Sequence, residues 1–318
     1  MRPGPVLITG ANGLIGAALL SNLRRAGATV VGAARSPVAG SGLRPSPSLD
    51  ARADWMPVIG GCKIVVHAAA RVHIFENTAP DPVAEFRRVN VDGTLSLASQ
   101  AARAGVRRFV FISSIKVNGE KTATGHPFTA DDAPAPVDPY GGSKLEAERG
   151  LRELGAQTGM DVVIIRPPLV YGPGVKANFR SLMRWVNRGI PLPFGAVRNR
   201  RSFVAIENLV DLIVCCLDDP SASGETFLVS DGEDLSTPEL LRRVGRALGR
   251  PVRLFSMPSP MLELGARAVG KGDLVRRLCG SLQVDISKTR KLLDWTPPVG
   301  IDEALAETAK YFLEHESR

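Results

Sequence analysis

The sequence predicts an α/β protein, a doubly wound parallel sheet followed by a smaller C-terminal domain. Three observations carry this. Short β-branched apolar runs alternate with longer amphipathic ones over the first two thirds of the chain, the pattern of parallel strands buried on both faces and joined by helices. A glycine-rich turn separates the first apolar run from the first helical pattern. The alternation weakens after Tyr171-Gly172-Pro173-Gly174, and 318 residues leave room for two folding units at roughly 150 residues each.

The elements follow in order. Val6–Ile8, Thr29–Ala33, Ile64–Val66, Phe109–Ile112 and Val162–Ile165 read as strands, each flanked by glycine or charge. Apolar residues at helical spacing place helices over Leu14–Ala26, Val83–Ala104 and Pro139–Gln157. Pro37–Pro57 is rich in Pro, Ser and Gly and is expected to be a long surface loop. Short helices over Phe179–Asn187, Pro238–Leu248 and Ile301–Leu313 belong to the second domain. The division expected is 1–170 and 171–318, with about 203–231 returning to the first domain.

Composition removes several classes. Forty Lys and Arg against thirty-two Asp and Glu leave a formal charge of +8, which suggests an anionic partner without choosing among nucleic acid, acidic lipid and a phosphorylated small molecule. Cys62, Cys215, Cys216 and Cys279 form no CxxC pair and read as small buried hydrophobes in a reducing compartment. His67, His73, His126 and His315 are scattered, so no metal site is expected. No apolar stretch approaches the ~18 residues of a membrane span. Val6–Ile8 already reads as a strand, which leaves no signal peptide, and the expected compartment is the cytoplasm. Basic motifs interleaved with aromatics are missing, which argues against nucleic acid as the partner.

Thr9-Gly10-Ala11-Asn12-Gly13-Leu14-Ile15-Gly16 is a TGxxGxxG turn between a strand and a helix, the setting of a dinucleotide-binding Rossmann fold. Gly10 permits the tight turn, Gly13 lets backbone approach a pyrophosphate, and Gly16 lets the helix pack on the sheet. Asn12, Leu14 and Ile15 lie between them, where the N–H groups of a helix N-terminus meet phosphate. At the end of the second strand Ala34 stands where an acid would bind the ribose of NAD, and Arg35 follows it. NADP is therefore favoured, with NAD as the other possibility.

Tyr140-Gly141-Gly142-Ser143-Lys144 sets a tyrosine and a lysine four apart, on one face of a helix that Asp138 caps and Pro139 opens. A phenol titrates near ~10 alone, and a neighbouring ammonium and a cationic nicotinamide ring would both lower that value. The strand Phe109-Val110-Phe111-Ile112 ends in Ser113-Ser114 at the cofactor crevice, where Ser114 can hydrogen-bond the reacting oxygen. Arg166-Pro167-Pro168-Leu169-Val170-Tyr171-Gly172-Pro173-Gly174 and the late stretch Val284–Trp295 complete a set that resembles the extended short-chain dehydrogenase/reductase family. The resemblance runs from about Val6 to about Phe312 and points to its nucleotide-sugar epimerases, dehydratases and 4-ketoreductases.

The resemblance implies roles for particular residues. Tyr140 would donate or accept the proton, Lys144 would bond the nicotinamide ribose and lower the tyrosine pKa, and Ser114 would orient the sugar oxygen. His67, Ala68, Ala69, Asn90 and Pro167 would lie along the cofactor. Lys116, Asn178 and Arg201 would meet the substrate, Pro193 and Phe194 would flank its base, and Arg276 or Arg277 would be a second phosphate arginine. Ser114 is followed by Ile115 and Lys116 rather than by the Asp-Glu pair of the family's dehydratases, so with no carboxylate available elimination is disfavoured. Two readings at C4 of a nucleotide-linked, UDP-type hexose are left. One is an NADPH-dependent 4-keto-sugar reductase, favoured by Ala34 and Arg35; the alternative is an NAD-dependent 4-epimerase using the same residues. A dinucleotide-binding regulator without catalysis is a third reading, opposed by the presence of both Tyr140 and Lys144. Leu169 replaces an asparagine common in the family, so an unusual sugar pocket is expected. A homodimer through the long helices at Val83–Ala104 and Pro139–Gln157 is also implied.

Overall fold

Apolar side chains on alternate sides of each strand build two cores against one sheet. In β1 (Val6–Thr9), Val6 and Ile8 face one core and Leu7 the other, and all four residues are buried. Burial on both faces is why such strands read as continuously apolar runs. The structure is a computed structural model, and it describes residues 4–37, 39–72, 81–123, 125–258, 261–262 and 272–316. His73 lies outside the described residues.

Numbered along the chain, the strands are β1, β2 (Val30–Ala34), β3 (Arg44–Pro45), β4 (Ile64–His67), β5 (Arg108–Ile112), β6 (Asp161–Arg166), β7 (Leu169–Tyr171), β8 (Arg201–Ala205), β9 (Thr226–Leu228) and β10 (Asp234–Leu235). Seven of them form a parallel sheet in the order β3-β2-β1-β4-β5-β6-β9. The order reverses between β1 and β4, and a crevice for ligands opens at the carboxyl ends of strands at such a reversal. One face is covered by α1 (Leu14–Arg25) and α7 (Ile206–Asp218), which pack on each other. The other is covered by α2 (Met56–Ile59), α4 (Gly93–Arg103) and α5 (Pro139–Thr158). Where one helix is expected over Val83–Ala104, α3 (Pro82–Arg87) runs through a π-helical turn, Arg88–Asp92, into α4.

The segment Pro37–Pro57 is mostly irregular but held in place. Gln100 accepts from the Trp55 N–H at 2.7 Å and donates to Ala53 O at 2.6 Å, and Trp55 is buried. Cys62 and Cys216 are buried.

The remaining strands form a second sheet, β10-β8-β7, with β8 parallel to β7 and antiparallel to β10. A third apolar cluster joins β7 and β8 to α6 (Ala177–Asn187), α8 (Thr237–Ala247) and α11 (Ile301–Glu316), with α9 (Gly272–Cys279) at its edge and α10 (Ser287–Leu293) beside the large sheet. The stretch 203–231 divides between the two sheets. Phe203–Ala205 pair with β7, whereas α7 and β9 join the seven-stranded sheet. Among the described residues, no helix is long and apolar enough to cross a membrane.

Candidate active site

The glycine turn is shaped by contacts that exclude side chains. Gly10 has φ +68°, and a Cβ there would sit 2.8 Å from the Ala69 backbone. A Cβ on Gly16 would lie 2.2 Å from Gly10 O, so the first turn of α1 can close on the loop only at glycine. Asn12 and Gly13 face solvent, and α1 has neither a side-chain cap nor an acid in its first turn. Its leading N–H groups and positive dipole end point into the groove beside Leu14 and Ile15, an arrangement that fits the pyrophosphate of a dinucleotide. At the end of β2, Ala34 is buried and Arg35 exposed.

His67 and Asn90 were expected along the cofactor, and the structure occupies both side chains elsewhere. Thr94 donates its hydroxyl proton to Asn90 O at 2.7 Å, so its oxygen accepts from His67 Nε2 at 3.1 Å. Nδ1 of His67 is then the acceptor for Thr9 Oγ1 at 2.6 Å. Burial, with Lys144 close by, pushes the imidazole down to about 3, which keeps it neutral. Ala68 and Ala70 line the crevice, whereas the His67 ring is fully buried and does not. Asn90 likewise holds the loop after β4: it donates to Arg71 O and Ser143 Oγ at 3.0 Å each and accepts from Arg71 N at 2.8 Å.

Tyr140 and Lys144 lie in the first turns of α5, whose N-terminus Asp138 caps by accepting from Gly141 N at 2.7 Å. The phenol is raised above its ordinary value by burial and then by the Asp138 charge, with a hydrogen bond to Ser114 working against both. The expected lowering by Lys144 is not what the geometry delivers. The lysine ammonium donates to Ile112 O at 2.8 Å and lies over the Phe111 ring, and burial brings its pKa down to about 7. Beneath it, Glu148 accepts from Ser113 Oγ at 2.5 Å and from Arg166 Nε and Nη2 at 2.9 and 2.6 Å, and Arg166 reaches on to Asn118. This buried pair ties α5 to the ends of β5 and β6. Glu148 stands one helical turn after Lys144, a spacing that could have singled it out.

A cavity of about 670 Å³ opens from this point toward the second sheet. Ile15, Ala68, Ser114, Tyr140, Lys144 and Pro167 line its near end, and Lys116 also lines it. Asn178, Arg201 and Arg277 line its far end with Trp185, Phe203 and Leu240. Arg201 donates through Nη1 to Arg277 O and Gly280 O at 2.7 and 2.9 Å, and Asn199, two residues before β8 begins, holds Leu278 O and Gly280 O. Burial and the Arg277 charge push Arg201 down to about 10. Two guanidiniums lining one end of a cavity suit a diphosphate.

Three expectations change here. Arg276 is exposed and outside the lining, so Arg277 is the arginine of that pair in the cavity. Pro193 and Phe194 do not line it either. Their segment bridges to Leu254 and Ser256, and the two-residue alternation turns Leu192 and Phe194 into the third core, where Phe194 is buried. Carboxylates are also present after all: Glu120 and Asp138 both line the cavity, each paired with Lys116. Sequence neighbours of Ser114 lack them, but the fold supplies them from six residues on and from the cap of α5. Leu169 lies in the lining and is partly exposed.

The sequence profile of the NAD dependent epimerase/dehydratase family matches residues 6–230. The chain is 46% identical over 320 residues to a UDP-glucose 4-epimerase of Vibrio cholerae, covering 99% of this chain and 98% of that protein. It is 30% identical over 328 residues to a UDP-glucose 4-epimerase of Mycolicibacterium smegmatis, covering 96% and 97%. Among solved structures it is similar to MoeE5 in complex with UDP-glucose and NAD, at TM-score 0.78 and 27% identity over 98% of this chain and 99% of that one. These findings favour the 4-epimerase alternative over the reductase, and NAD over the NADP expected from Ala34 and Arg35.

Proposed function

Because the chain belongs to the NAD dependent epimerase/dehydratase family, we propose that it interconverts UDP-linked hexoses epimeric at C4, with NAD kept in the groove at the carboxyl ends of the strands. One observation carries the reading. A single cavity joins Tyr140, Ser114 and Lys144 at one end to Arg201 and Arg277 at the other, so a sugar held by its diphosphate presents its ring to the phenol.

The glycine turn and the N-terminus of α1 would hold the NAD pyrophosphate, with Ala68, Ala69 and Pro167 along it and Lys144 at the nicotinamide ribose. When bound, NAD supplies hydride acceptance from C4 and hydride return. Ser114 holds O4 by a hydrogen bond, and Tyr140 takes the O4 proton and later gives it back. Without NAD the phenol's raised pKa keeps it protonated, so the first half needs the positive charge of a bound nicotinamide to favour the phenolate that accepts from O4, and proton return is the easier half for this side chain. Asn178, Arg201 and Arg277 hold the diphosphate while the hexose presents its two faces in turn. In this reading residues 1–170 with α7 and β9 bind NAD, the rest binds the nucleotide sugar, and α4 and α5 pair two chains as a homodimer.

The test is to denature purified protein, identify the nucleotide released, and incubate native protein with UDP-glucose. Stoichiometric NAD and formation of UDP-galactose without added cofactor are expected. An empty groove that binds NADPH, with reduction of a UDP-4-keto-hexose, would return the reaction to the reductase that Ala34 and Arg35 favour.

A further inference from the structure

Between the two ends of the cavity stands a group of three charges that the reaction leaves without a role. Lys116 lies two residues after Ser114 in a 3-10 turn, Ile115–Val117, and Glu120 follows one turn later. Asp138 precedes the Pro139-Tyr140 start of α5. Lys116 Nζ donates to Glu120 Oε1 at 2.8 Å and pairs also with Asp138. All three side chains are about three-quarters buried and line the cavity. The Asp138 charge acts on both Tyr140 and Arg277, and that of Glu120 on Arg201, so each lies near them in the shared lining. The group therefore occupies the stretch between the phenol and the phosphate arginines, where a hexose must lie.

One cation against two carboxylates leaves a net charge of −1 there. Of the other cations lining the cavity, Lys144 donates to Ile112 O, and the charges of Arg201 and Arg277 are offset by the substrate's own diphosphate. A hydroxymethyl group on C5 of the sugar finds carboxylate oxygens able to accept from its O–H. A carboxylate in that place finds Lys116 already taken and two like charges, in a cavity where solvent ions screen poorly.

We propose that Lys116, Glu120 and Asp138 form a charge filter that admits neutral UDP-hexoses and turns away UDP-hexuronates. The inference rests on the 4-epimerase reading for the position of the sugar, and affinity tests it separately from turnover. Binding of UDP-glucose and of UDP-glucuronate to the purified holoprotein is measured by calorimetry, together with kcat/KM for each. UDP-glucose is expected to bind about 100-fold more tightly. Glu120→Gln removes one negative charge and should narrow that ratio about tenfold, whereas Lys116→Gln should widen it. Equal affinities, a preference for the uronate, or a ratio that Glu120→Gln leaves unchanged overturns the filter. A wide affinity ratio without epimerisation sinks the reaction and keeps the filter; binding of neither sugar nucleotide sinks both.

Discussion

At Tyr140, burial and the Asp138 carboxylate raise the phenol while only the Ser114 hydrogen bond opposes them, so the hydroxyl proton is held firmly at neutral pH. Removing that hydroxyl removes the proton carrier but no contact of the glycine turn. Tyr140→Phe is therefore expected to lower kcat by about 1,000-fold or more, with bound NAD unchanged when the nucleotide is extracted and quantified. The arginines offer a sharper comparison. Arg277 lines the cavity and Arg276, its neighbour, does not. Arg277→Ala should raise KM for UDP-glucose by about 10- to 100-fold, the worth of one charge-assisted contact to phosphate, while Arg276→Ala should change it by less than about twofold; initial rates across substrate concentration decide. The sequence could not make this choice, because which of two adjacent arginines enters a cavity depends on how α9 is rotated by its anchors. Those anchors, Asn199, Arg201 and Thr237 on the carbonyls of residues 277, 278 and 280, come from distant segments. Tyr140, Lys144 and Ser114 were legible because their spacing is local. Phe194 misled because a bulky aromatic near a phosphate arginine resembles a base platform, whereas alternation along its segment turns it into the core.

Among the elements, the turn from β1 into α1 is the least tolerant of change. Gly16→Ala places a methyl group 2.2 Å from Gly10 O, with the backbone of Gly10 and Ala11 as its nearest neighbours. The expected result is a loss of about 2 kcal/mol or more in unfolding free energy and of bound NAD, read by urea titration and nucleotide extraction. Long strands and helices were readable because burial on both faces, or on one stripe, leaves a period in the sequence. The shorter elements leave none: β7, β10 and α10 span three, two and seven residues, and only their partners define them. The π-helical turn at Arg88–Asp92 was equally silent, since one extra residue inside a helix barely disturbs the apolar stripe. Its effect is nevertheless specific, because Asn90 within it reaches both Arg71 and Ser143.

For the molecule as a whole, His67 sets a limit on the acid side. In the unfolded chain an imidazole takes up a proton below about 6.5, whereas the folded protein keeps His67 neutral down to about 3. Between those values the unfolded state binds more protons, so stability falls as pH falls, by about 2 kcal/mol between pH 6.5 and pH 5 from this residue. Urea titrations at the two pH values should show that loss, and His67→Gln, whose amide can accept from Thr9 and donate to Thr94, should flatten it. The first 170 residues hold the strand alternation, the glycine turn and the Tyr140–Lys144 pair, so a sequence reading divides the chain there. The same reading has about 203–231 return to that part, and β9 pairs along Ile164–Arg166 of β6. During synthesis, then, β6 leaves the ribosome some seconds before the strand that covers its edge. Until Leu228 is made, a strand buried through Val162–Arg166 has one row of backbone N–H and C=O groups unpaired, a template for pairing with another chain. A fragment ending at residue 170 never receives that cover. It is expected to collect in the insoluble fraction on expression, where a fragment running through residue 230 does so less.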